Sequence, residues 1–236
     1  MPKFFPVAAL LIAWNSVPAH SSVLVFSEGF DDVTTLAGAG WATNNLSSPL
    51  GTTGYFQGNP VVFPAQSGAP DSYIGANFEN ATNVGTISDW LITPMLLLHD
   101  GDFLSFYTRT TTPGVPVFPD RLEVRFSGNG SSTNVGSTAT SVGDFAALLL
   151  TINPTLTTTG YPSQWTQYVL TLSGLGAPTN GRFAFRYFVT NAGPNAPNAD
   201  YIGIDNLTVT AIPEPVTSLL TAVGIVGFVL RKSRRR

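Results

Sequence analysis

Cysteine is absent from this chain. That excludes a disulfide framework, thiolate nucleophiles and zinc–thiolate sites, and leaves stability to a packed core or a bound metal. Histidine occurs only as His20 and His99. A Ser-His-Asp triad would have to use His99, in the turn His99-Asp100-Gly101-Asp102, and no Gly-x-Ser-x-Gly turn is present to carry its nucleophile. No glycine motif of phosphate-cradling form occurs either. Lysine is confined to Lys3 and Lys232, and charged residues make up only 11% of the chain. Between the two ends, over residues 20–210, five arginines stand against thirteen acids, a net of −8. Such a surface disfavours nucleic acid and anionic membrane, and suits cations or neutral partners.

Long apolar runs occur only at the ends. Met1–Ala19 carries one charge, Lys3, then Phe4 to Trp14, then the small-residue approach Val17-Pro18-Ala19. This is the anatomy of a secretory signal peptide cleaved after Ala19, since eleven apolar residues are too few to span a bilayer. At the other end stand Pro213-Glu214-Pro215, fifteen uncharged residues from Val216 to Leu230, and Arg231-Lys232-Ser233-Arg234-Arg235-Arg236. The prolines stop any preceding strand and make a rigid spacer. The uncharged run read as a helix reaches about 22 Å, short of a hydrocarbon core of roughly 30 Å. It can insert transiently but makes a poor permanent anchor, and the basic cluster stays on the cytoplasmic side.

Pro213, Glu214 and Pro215, the short hydrophobic helix, and a tail containing Arg231, Arg234, Arg235 and Arg236 together resemble the PEP-CTERM sorting signal of Gram-negative bacteria. The resemblance covers the last tenth of the chain. It implies processing by an exosortase, a membrane transpeptidase-like enzyme, with transient inner-membrane anchoring and delivery to the cell envelope, outer surface or extracellular matrix. The plainer alternative is an ordinary single-span C-terminal anchor.

Between the ends, short β-branched and aromatic runs alternate with Gly, Pro, Asn and Ser clusters, the pattern of an all-β domain. Val23 to Phe26 opens it. Residues 33–70 read as a long polar loop holding Trp41, Tyr55, Phe56 and Phe63. Strands follow at Tyr73 to Phe78, Ser88 to Thr93, Met95 to Leu98, Phe103 to Thr108 and Arg121 to Phe126. The last of these places Leu122, Val124 and Phe126 on one face, as a half-buried strand does. Residues 127–164 form a Ser/Thr/Gly-rich segment in which Phe145 to Ile152 reads as a short strand or helical turn. Trp165 to Leu172, Arg182 to Val189 and Tyr201 to Thr210 complete the series. In the last of them Ile202 and Ile204 are out of phase with Leu207 and Val209, so the alternation slips at Asp205-Asn206 as at a β-bulge.

Glu28-Gly29-Phe30-Asp31, Trp41, Ser88-Asp89-Trp90-Leu91-Ile92-Thr93-Pro94, Leu104-Ser105-Phe106-Tyr107, Asp120-Arg121-Leu122-Glu123-Val124, Trp165, Phe185-Arg186-Tyr187 and Ile204-Asp205-Asn206 resemble, in that order, the choice-of-anchor J domain. That family is related to cleaved-adhesin and MAM-like modules. The resemblance spans most of residues 23–210, with 127–164 matching least. It implies a jelly-roll β-sandwich paired with a surface-attachment tail. The expected organisation is therefore a signal peptide at 1–19, the sandwich domain at 20–210 and the sorting signal with its short transmembrane helix at 211–236.

Calcium takes hard oxygen ligands, and in related jelly-roll modules the first and last strands share such an ion. A structural Ca2+ is accordingly expected on Glu28 and Asp205, with Asp31 as the next ligand. The competing reading is that Asp31 and Asp32 start a turn and that Asp205 is satisfied by backbone amides. Trp41 and Tyr55 are the candidate sugar-stacking residues of the early loop, against the alternative that they pack onto the sandwich edge. Trp90 and Trp165 read as core. The functional expectation is a non-catalytic structural or adhesive protein, with exopolysaccharide or other envelope components as partners. A carbohydrate-binding module and a carboxylate-dependent glycoside hydrolase are the alternatives.

Overall fold

Thirteen short strands account for most of the regular structure, as the spacing of turn residues predicts. A computed structural model describes residues 22–212, apart from positions 113, 115 and 116. In chain order the strands are β1 (Val23–Glu28), β2 (Ala42–Asn45), β3 (Ser48–Leu50), β4 (Phe56–Gln57), β5 (Ile74–Asn77), β6 (Ala81–Ile92) and β7 (Leu96–Leu98). There follow β8 (Phe103–Thr110), β9 (Leu122–Ser127), β10 (Ala147–Ile152), β11 (Thr166–Thr171), β12 (Thr179–Ala192) and β13 (Tyr201–Ala211). The expected signal peptide, and the sorting signal from Pro213 onward, lie outside the described residues. Among the described residues no helix is long and apolar enough to cross a membrane.

The strands make two antiparallel sheets, the all-β sandwich that the sequence implies. The first runs β11-β8-β13-β5-β4, with β1 also paired to β13; the second runs β10-β9-β12-β6-β2, with β3 on β6 and β7 on β12. Period-two alternation turns Leu104, Phe106, Ile202, Ile204, Leu207 and Val209 of the first sheet inward. They meet Leu122, Val124, Phe183, Phe185, Tyr187 and Val189 of the second. Phe106 and Phe185 cross edge to face at 4.9 Å between centroids.

The second sheet is covered on its outer side as well, which the sequence did not suggest. Trp90, Ile92 and Ala184 of that face pack against Val135 and Phe145 of the 127–164 segment. Arg186 is buried there at 1% exposure. Its guanidinium donates to Ser88 Oγ, Glu123 Oε2 and the Ala139 carbonyl, and lies over the Trp90 and Phe188 rings. Burial lowers its pKa to about 10, with Glu123 opposing the shift. Glu123, expected on a wet face, is therefore buried too. β9 is covered on both sides, correcting the half-buried expectation.

Candidate functional site

Loop 58–73, part of the long early segment, covers the β5 half of the first sheet. Phe63 and Tyr73 stack at 5.1 Å, Trp165 and Tyr201 stand edge-on to Phe63, and Trp165 donates its ring N–H to the Pro64 carbonyl. Gly203 makes this lid possible. A Cβ there would stand 2.8 Å from the Trp165 ring and 2.9 Å from both the Phe63 and Tyr73 rings.

The rest of that sheet's outer side is open. Register aligns Thr171, Phe103, Thr210 and Leu24 across β11, β8, β13 and β1, then Val169, Ser105, Thr208 and Ser27, then Gln167 and Tyr107. Gln167, Val169, Thr171, Leu24 and Ser27 are exposed, and Phe103, Tyr107, Thr208 and Thr210 are partly exposed. Ser105 and Thr208 share a hydroxyl–hydroxyl hydrogen bond of 2.9 Å. None of these side chains is charged. The bordering Arg109 and Asp205 are 7% and 0% exposed. Arg109 lies beneath the Phe63 ring and donates to the Ser163 carbonyl.

At one end of this face the expected irregularity is present. The β13–β8 register shifts between Asp205 and Thr208, and Asn206 takes a φ of 47°. Asp205 Oδ2 accepts the backbone N–H groups of Gln66 (2.8 Å) and Ser67 (3.4 Å), and Oδ1 accepts that of Asn206. The Asn206 side chain bonds Gln66 and Ser67 as well. Burial raises the Asp205 carboxyl to about 6 against these amide bonds, and nearby Asp31 adds to the rise.

Glu28 pairs in register with Leu207, but its Oε1 accepts the Phe30 N–H at 2.8 Å. Asp32 caps the following turn through Thr34. So Asp31 and Asp205 approach each other while Glu28 is turned to its own backbone. Among the described residues no three His, Cys, Asp or Glu side chains gather closely enough to hold an ion.

Of the candidate stacking residues Trp41 and Tyr55, the first is buried and the second partly buried. Trp41 is 5% exposed and packs on Phe26 and Phe30 at 5.9 and 5.5 Å. Tyr55 packs against the main core, and its hydroxyl donates to the Phe185 carbonyl; burial raises its pKa well above the usual range. The aromatic side chains of this polar segment gain more by covering the sandwich than by remaining in water. The open face, with Tyr107, Gln167 and Val169, was missed. Its only sequence signal is the uncharged alternate positions of 103–108 and 166–171.

Buried carboxyls lie at the opposite end of the core. Asp120 accepts from Tyr187 Oη–H, Thr110 Oγ–H and the Asp200 N–H, and burial, aided by Asp200, lifts it to about 6. Asp120 is 1% exposed, with both oxygens accepting from these donors. Asp89 is 1% exposed, accepts from the Asn80 amide, and is pushed well up by burial. A cavity of about 130 Å³ nearby, lined by Phe78, Phe118, Pro194 and Asp200 among others, falls short of the roughly 300–1,000 Å³ usual for small-molecule sites.

No protein-family profile and no curated protein matches the chain. Solved structures do. The K1 cleaved adhesin domain of Lys-gingipain from Porphyromonas gingivalis W83 is similar at 21% identity and a TM-score of 0.52, over 81% of this chain and 98% of that one. The K2 cleaved adhesin domain of Lys-gingipain is similar at 17% identity and a TM-score of 0.50, over 79% and 97%. At these identities the likeness establishes a shared β-sandwich fold.

Proposed function

We propose that this chain is a non-catalytic adhesive module of the bacterial cell surface or extracellular matrix. It is exported through its 1–19 leader and processed by an exosortase at the signal beginning Pro213-Glu214-Pro215. The observation that carries the adhesive part is the open, uncharged face of the first sheet, on a fold shared with the cleaved adhesin domains of Lys-gingipain. A structural Ca2+ on Glu28, Asp31 and Asp205 belongs to the same reading; it would require Glu28 to leave the Phe30 N–H and join Asp31, whose charge already contributes to the raised pKa of Asp205.

Two experiments on the native host test the proposal. Protease added to whole cells should digest the protein, and deletion of its gene should reduce attachment or aggregation. Protection from protease together with unchanged attachment would refute it.

A further inference from the structure

Within the adhesive reading, on which this rests, we propose that the β11–β8–β13–β1 face binds a neutral polysaccharide chain, with Tyr107 as its stacking anchor. Four strands spaced about 4.8 Å apart and three rows of outward residues make a patch about 14 Å by 13 Å. That accommodates several units of an extended polymer. It is far below the ~800 Å² per partner of a stable protein interface.

Charge selects the polymer class. The domain is acidic overall, and the patch displays no lysine or arginine to receive an anionic glycan, since Arg109 is held under Phe63. A neutral glycan needs no counter-charge. Its apolar C–H faces match a partly exposed Tyr107 ring, which joins apolar area to a polar tip. Its hydroxyls match the Gln167 amide beside that ring and the hydroxyls of Thr171, Thr208 and Ser27. The lid aromatics Phe63, Tyr73 and Tyr201 do not compete, being 4%, 0% and 6% exposed, whereas Trp165 is partly exposed and gives its ring N–H to the Pro64 carbonyl.

The test is native affinity electrophoresis in gels containing hydroxyethyl cellulose, galactomannan or laminarin, with alginate as the anionic comparison. At least one neutral glycan should retard the protein and alginate should not. Tyr107→Ala should weaken retardation about ten-fold, the loss expected on truncating an anchor. Val169→Glu places a charge at a 56% exposed position that folding tolerates, and should weaken it similarly. Leu97→Ser, an exposed site on the other sheet, should change nothing.

If Tyr107→Ala fails to fold, Val169→Glu decides. No retardation by any neutral glycan, equal retardation by alginate, or retardation unaffected by Val169→Glu would overturn the inference. A protein that is surface-exposed and needed for attachment, yet ignores every neutral glycan, would sink this inference and leave the adhesive reading standing.

Discussion

Stability should fall as pH rises from about 4 to 6, the reverse of ordinary acid denaturation, and Asp120 is a leading reason. In the folded chain it holds its proton to about pH 6, whereas its model-peptide value is 3.8. Between those values the native state binds more protons than the unfolded state, so each increment of pH favours unfolding. A rise of about two units corresponds to about 3 kcal/mol, fully present below pH 4 and lost by pH 6 to 7. Asp205, also raised to about 6, adds to the decline over the same range, and buried Asp89 shifts in the same direction and extends it upward. Exposed Asp32 and Asp144 are lowered by hydrogen bonds from Thr34 and Ser132, and oppose it only at the acid end.

Urea unfolding followed by tryptophan fluorescence at pH 4.5, 5.5, 6.5 and 7.5 measures this. Asp120→Asn, neutral throughout, should remove the Asp120 share of the slope and leave that of Asp205. A stability that is flat or rises over that range in the wild type would refute the argument. It would mean that the donors from Tyr187, Thr110 and Asp200 outweigh desolvation.

Arg186→Ala should cost about 3 kcal/mol, because it leaves Glu123 buried with only Arg125 as partner. It should also free residues 128–145 to limited proteolysis; an uncut chain of wild-type stability would contradict the covering role. Gly203→Ala should cost about 1–3 kcal/mol by forcing the Phe63, Tyr73 and Trp165 rings apart, seen as a lower urea midpoint. If calcium is bound at about a hundred times its Kd, chelation should remove about 2.7 kcal/mol and lower Tm by about 5–10 °C. An unchanged melt removes calcium from the account.

Much of the fold was legible because alternation directly reports a sheet with one dry face. Leu122, Val124 and Phe126 were read correctly as inward, and the phase slip at Asp205-Asn206 located the bulge to the residue. What alternation could not report was the second layer. Glu123 and Arg186 look like solvent-facing charges until a Ser/Thr/Gly-rich segment, itself without strong periodicity, is folded over them. Likewise Trp41 and Tyr55 stand in a polar loop, and nothing local distinguishes an aromatic that docks from one that waits for a ligand. The open face was the least legible feature. Ser105, Tyr107, Gln167 and Thr208 come from three strands far apart in sequence, and only the register of β11, β8 and β13 brings them side by side.

The most direct test of the central claim is the intact mass of the protein recovered from its native host, with the fraction that yields it. The account predicts an envelope or extracellular species that has lost residues 1–19 and the chain beyond the Pro213-Glu214-Pro215 region. A full-length species in the cytoplasm would contradict export itself. A membrane-bound species that retains Val216 to Arg236 would contradict exosortase processing and make the tail a plain anchor.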